Sequence, residues 1–127
     1  MRTDPPSPKA GFTFIELIIV ITVIGLLVAI AVPNYIRARD NAALNAIYKN
    51  LRQIEVAKTQ WALENKKNAG DPVANINTLS NYFASGKVRD VVREKYVPNA
   101  IGTPAEADLP AGTSLGTNAR GAVIEAP

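Results

Sequence analysis

Residues 12–32 form an unbroken apolar run of 21 residues interrupted by a single charge, Glu16, one turn inside it. A segment that is apolar at every helical angle has no polar face to offer water, so the run predicts a helix held in a nonpolar medium. Its length suffices to cross a bilayer. From Asn34 the pattern changes but keeps the helical period. Leu44, Ile47, Leu51, Ile54 and Trp61 recur at spacings of three and four, with Lys58 filling the gap, which makes one apolar stripe on an otherwise polar helix. Arg52–Glu55, Glu55–Lys58 and Glu64–Lys67 set opposite charges at i,i+3, each worth a few tenths of a kcal/mol. Lys66 and Lys67 suit a helix C-terminus, Gly70 suits a left-handed cap and Asp71-Pro72 cannot continue. The pattern therefore predicts one helix from about residue 13 to about residue 68.

The chain on either side of this helix is punctuated by turn formers. Residues 1–11 are polar, with prolines at 5, 6 and 8, and read as a short leader outside the fold. Beyond the helix, Asn77 is placed to cap a short helix running to Phe83, with Leu79, Tyr82 and Phe83 on one side and Gly86 ending it. Val88, Val91, Val92 and Tyr96 fit another turn or a strand equally well. Thr103-Pro104-Ala105-Glu106 has the form of a capping box with proline at the first helical position, which predicts a helical turn. Residues 110–121 are turn-rich, and Ala122-Val123-Ile124 is the best strand candidate. Eleven of the last 59 residues are Gly or Pro, so loops should dominate there. The expected class is α+β: a leader (1–11), a membrane-spanning or assembly helix (12–33), an amphipathic helix (34–68) and a small loop-rich C-terminal head (69–127).

Composition narrows the chemistry. The 127 residues contain no Cys and no His, which excludes disulfides, thiolate metal sites and every His-dependent triad. The remaining carboxylates and lysines show no catalytic spacing, and the expectation is a chain that is not an enzyme and carries no cofactor. The net charge of +3 is unevenly distributed: residues 34–68 hold seven Lys or Arg against three acids, and residues 69–127 hold five against six. A basic helix could face nucleic acid or anionic lipid. A solvated helix face, with Arg37 and Arg39 near lipid headgroups, is the simpler expectation, and no nucleic-acid partner is expected. Trp61 reads as part of the packed stripe.

Glu16 is the costly residue. An ionised carboxylate in a spanning segment costs on the order of 2.5–3.5 kcal/mol on insertion scales. It lies near a helix N-terminus, where the dipole favours an acid, and it has a route toward the headgroups. Ala29-Ile30-Ala31 also fits a secretory cleavage pattern, but a signal core of 7–15 apolar residues is shorter and carries no acid. Glycine at position 11, Phe12, Glu16, the apolar run and the closing Pro33-Asn34-Tyr35 occur in order. In this the segment resembles the N-terminal signature of type IV pilins and type II secretion pseudopilins.

That resemblance implies cleavage after Gly11 by a membrane prepilin peptidase, N-methylation of the new Phe12 terminus and polymerisation through the N-terminal helix. It implies that Glu16 pairs with the Phe12 amine of a neighbouring subunit. It also implies that the segment carrying Gly25 and Pro33, both helix-weakening residues, is able to unwind when subunits pack. The expected partners are copies of the chain or related subunits, the peptidase and methyltransferase, an inner-membrane assembly platform and, before assembly, the lipid bilayer. The expected location is the bacterial inner membrane, single pass, with the head in the periplasm. Shortness and the lack of a cysteine pair lean toward a secretion pseudopilus. The alternatives are a type IV pilus subunit for adhesion, motility or DNA uptake, and a single-pass anchored protein that never polymerises. Glu106, Asp108 and Glu125 do not form a recognisable calcium loop, so no metal is expected.

Overall fold

The computed structural model describes residues 11–116 and 121–127. The expected leader, apart from Gly11, and positions 117–120 of the turn-rich stretch lie outside the described residues. The element order is helix α1 (Phe14–Glu64), a 3-10 helix (Ile76–Tyr82) and strands β1 (Lys95–Val97), β2 (Glu106–Asp108) and β3 (Val123–Glu125). This is the α+β class expected from the pattern. The chain divides into two units, Met1–Ile36 and Arg37–Pro127, and α1 contributes to both.

In the first unit every described residue is exposed. The helix is apolar on all sides and long and apolar enough to cross a membrane. Pro33 lies inside α1. It has no N–H to offer the carbonyl of Ala29, so one rung of the backbone ladder is missing there.

The second unit has its own core. Ile47, Leu51 and Ile54 are fully buried, and Leu44 and Trp61 are partly buried against the same cluster. Leu79, Phe83, Ala105, Ala107, Leu109, Leu115 and Ile124 close over them. Each fully buried Leu or Ile contributes roughly 1.5–3 kcal/mol. The three strands form one antiparallel sheet in the order β1-β2-β3. Tyr96 lies opposite Ala107, and Ala107 opposite Ile124, so this inward-facing row meets the helix. Alternation then puts Lys95, Val97, Glu106, Asp108, Val123 and Glu125 on the other face.

Several local expectations give way to tertiary contacts. α1 ends at Glu64, and the left-handed residue is Lys66 (φ 52°), with the Lys67 amide reaching back to the Ala62 carbonyl at 2.9 Å. That is the bond pattern of a Schellman cap. Gly70 (φ 91°) serves the next turn instead, where its amide bonds the Ile101 carbonyl. The helix after it is of the 3-10 type, and its cap is Asn75, not Asn77: the Asn75 side chain accepts from the Thr78 amide. Gly86 does not end that helix but closes the following turn, its amide bonding the Phe83 carbonyl. The segment over Val88, Val91, Val92 and Tyr96 resolves into bends followed by β1.

The helical turn expected over 103–106 is absent; Glu106 opens β2. The Ala105 amide bonds Glu55 Oε1 at 2.6 Å, and its carbonyl accepts from the Ala126 amide at 2.8 Å. Both backbone groups that a helical turn would use are taken by distant partners. Of the three charge pairs expected along α1, the ion pair formed among the described residues is Glu55–Lys58 at 3.0 Å. Arg52 takes no part in one, and Glu64 accepts from the Tyr82 hydroxyl instead. Lys67 sits 6.0 Å from the centre of the Trp61 ring.

Candidate functional site

Gly11, Phe12 and Thr13 precede the first helical residue, Phe14. The backbone here is non-helical and open to approach from outside: a Cβ added at Gly11 would meet nothing within 4 Å, and Phe12 is 82% exposed. A peptidase needs an accessible, non-helical bond, and the Gly11–Phe12 bond is one.

Glu16 is held by a reciprocal pair of contacts. Its Oε2 accepts from the Thr13 amide at 2.8 Å and from the Thr13 hydroxyl at 2.7 Å, while the Glu16 amide donates to Thr13 Oγ1 at 3.3 Å. Thr13-Phe14-Ile15-Glu16 is thus a capping box that satisfies orphan donors at the start of α1. The sequence reading found Glu16 and missed Thr13, although Thr-x-x-Glu before an apolar run is a readable signal. Cutting the Gly11–Phe12 bond would leave every atom of this box intact. Among the described residues, Oε1 of Glu16 has no hydrogen-bond partner. Thr22, the next polar residue of the run, turns its hydroxyl onto the Ile18 carbonyl at 2.7 Å. Gly25 and Pro33 lie further along α1, away from Glu16, with open space where a Gly25 side chain would be.

The second unit holds its polar groups for structure. Lys58 is buried, and its ammonium donates to Glu55 and to the Thr103 carbonyl at 2.6 Å. Glu94, also buried, accepts from the amides of Val91 and Val92 and from the Tyr96 hydroxyl. Asn50 of α1 donates to both Tyr96 Oη and the Arg89 carbonyl, tying this loop to the helix. Burial alone would raise the Glu94 pKa, but the Tyr96 hydroxyl and the Val92 and Val91 amides outweigh it and hold the carboxyl below its ordinary value. Burial and the facing Glu94 carboxylate push the Tyr96 phenol up. The i,i+3 spacing predicts the Glu55–Lys58 pair, whereas the contacts of Lys58 with Thr103 and of Asn50 with Arg89 and Tyr96 join residues distant in sequence and leave no local signal. Glu106 and Glu125 face each other across β2 and β3, with Asp108 two positions along. Among the described residues, no group of three acids is arranged to hold a metal ion.

The family model described as the prokaryotic N-terminal methylation motif matches residues 6–32. The type IV major fimbrial protein FimA of Dichelobacter nodosus is 30% identical over 105 residues, 80% of this chain and 67% of its own length. The type IV major pilin protein PilA of Myxococcus xanthus is 37% identical over 65 residues, 50% of this chain and 30% of its own. The type II secretion system core protein G of Klebsiella michiganensis is 30% identical over 59 residues, 46% of this chain and 42% of its own. The chain spans less than half the length of the Myxococcus and Klebsiella relatives. No solved structure matches.

Proposed function

The chain belongs to the type IV pilin-like family, and from that premise we propose that it is a filament subunit rather than an enzyme. A prepilin peptidase cuts after Gly11, the new Phe12 amine is methylated, and copies polymerise through the apolar half of α1. Before assembly the subunit waits as a single-pass inner-membrane protein with residues 37–127 in the periplasm, where an assembly platform collects it. The observation that carries this reading is the first unit of the structure: an all-round apolar helix with one carboxylate, preceded by an exposed Gly-Phe bond. In a filament core, Glu16 Oε1 receives the Phe12 amine of the neighbouring subunit, so two charges that would each be costly alone are buried as a pair.

The proposed filament is a type IV pilus. Similarity to the Dichelobacter fimbrial protein extends over 105 residues and so reaches past the end of α1 into the sheet-bearing unit. A type II secretion pseudopilus is the second reading. It is favoured by the core protein G relative and by the absence of any cysteine pair.

Intact-mass measurement on protein extracted from membranes tests processing: a chain beginning at methylated Phe12 is expected, and an uncut Met1 terminus would leave only an anchored, non-polymerising protein. Recovery of sheared filaments tests assembly. Loss of surface filaments on gene deletion, with protein secretion intact, is expected for the pilus; the reverse phenotype selects the pseudopilus.

A further inference from the structure

The second unit carries two exposed surfaces of opposite charge, and folding creates both of them. The stretch 87–95, KVRDVVREK, holds four basic and two acidic residues. Glu94 turns inward and spends its carboxylate on the Val91 and Val92 amides and the Tyr96 hydroxyl. Lys87, Arg89 and Arg93 stay exposed, with Asp90 as the one exposed acid between them. The Asn50 side chain fixes the loop by its bond to the Arg89 carbonyl. The result is a basic surface with a defined backbone.

The outward face of the sheet is its counterpart. The antiparallel register sets Glu106 directly opposite Glu125, a like-charge pair that destabilises a sheet. Lys95 lies opposite Asp108 in the register, and no described cation lies within 4.0 Å of Glu106, Asp108 or Glu125. Val97 and Val123 lie beside these acids on the same face, and Val123 is half-exposed.

We propose that this sheet face docks on the basic loop of a second copy of the chain, with Glu106 and Glu125 of one copy meeting Arg89 and Arg93 of the next. The occupant is argued from complementarity: each surface is the wrong partner for itself and the right one for the other. Two different patches of one chain in mutual contact make a heterologous interface, and repeated heterologous contacts build a ring where the rotation closes and an open helical polymer where it does not. The inference deepens the filament reading and rests on it for the polymer. The contact itself has an independent readout, because the chain has no native cysteine.

The experiment mixes full-length chains carrying Glu106→Cys with full-length chains carrying Arg89→Cys in membranes, under mild oxidation. Disulfide-linked dimers are expected from the mixture. Either chain alone should give at least about tenfold less, since like charges repel when two copies of one patch are brought together. In parallel, Glu106→Lys/Glu125→Lys and Arg89→Glu/Arg93→Glu should each lower sheared-filament recovery about tenfold or more, and the four substitutions combined should restore it. Subunit level and protease resistance in membranes report that each variant folds. Normal filaments with no 89–106 crosslink, or reversals that do not matter, overturn the inference and leave the filament reading standing. Crosslinks that form in the mixture while the wild-type chain yields no filament support the contact and count against the polymer.

Discussion

At the scale of single residues, the capping contacts of Glu16 and its proposed role as a counter-charge separate by mutation. As the distal half of a capping box it satisfies donors at the start of α1; as a counter-charge it would receive an amine from another subunit. Thr13→Ala removes the cap, at a cost of about 0.5–2 kcal/mol to the first turn, and leaves the carboxylate in place. Glu16→Ala removes both, and an amine left buried without its partner costs about 3–5 kcal/mol per contact, several hundredfold or more in association. The expected outcome is that both variants insert and are cleaved, that Thr13→Ala still yields filaments and that Glu16→Ala does not. Equal filament yields from the two would reduce Glu16 to a helix-terminus feature. Glu94 makes a different prediction. Its folded pKa lies below the ordinary 4.5, so the stability it contributes is present above the unfolded value and lost as pH falls through the folded one. Thermal melts of the full chain in detergent should therefore show a fall below about pH 4.5 that Glu94→Gln lacks. Glu94→Ala, which strands two amides and a hydroxyl, should cost about 1–3 kcal/mol for each buried group left unsatisfied.

At the scale of elements, Glu55 and Lys58 clamp α1 to the residues before β2. Glu55→Ala leaves a buried ammonium and the Ala105 amide short of a partner. Because Glu55 is about one-third exposed (35%), its loss should fall toward the low end of the about 3–5 kcal/mol typical of breaking a buried pair. Glu55→Met with Lys58→Met should lose much less than the single change, and a double-mutant cycle on thermal melts measures the difference. The clamp also explains where the sequence was legible. The apolar run and the stripe beginning at Leu44 were readable because a helix writes its environment at a fixed period. The strand expected over 122–124 forms one residue later, at Val123–Glu125, and was readable because Val and Ile between turn formers have few other uses. Thr103–Glu106 misled because its capping-box signal is local, whereas Glu55, Lys58 and Ala126, which claim its backbone, lie far away in sequence. Asn75 and Asn77 are chemically equal caps, so residue type alone does not choose between them. Gly25 and Pro33 make the last prediction at this scale. Gly25→Ala with Pro33→Ala restores the missing rung and raises helix propensity. If filament packing requires this segment to unwind, the variant should insert and be processed normally yet give several-fold fewer sheared filaments; undiminished yields would show that the helix stays wound.

At the scale of the whole molecule, the division after Ile36 separates a part with no buried residue among those described from a part with its own core. Deleting residues 12–33 should therefore leave a chain that is recovered in the aqueous fraction and melts cooperatively; membrane retention, or a melt without a transition, would mean that the second unit depends on the first. Hydrocarbon tails and leucine side chains are nearly equivalent solvents for an apolar helix, so exchanging one for the other yields little hydrophobic free energy. A subunit leaving the bilayer for a polymer would cross between two phases of almost equal solvation, and the same would hold on its return. The direction of travel would then be set by small terms: close packing, one ionic contact and the work of whatever motor drives the exchange. An anchor that is apolar on every side would in this sense be a bearing, and the membrane would be a reservoir from which subunits could be drawn and to which they could be given back.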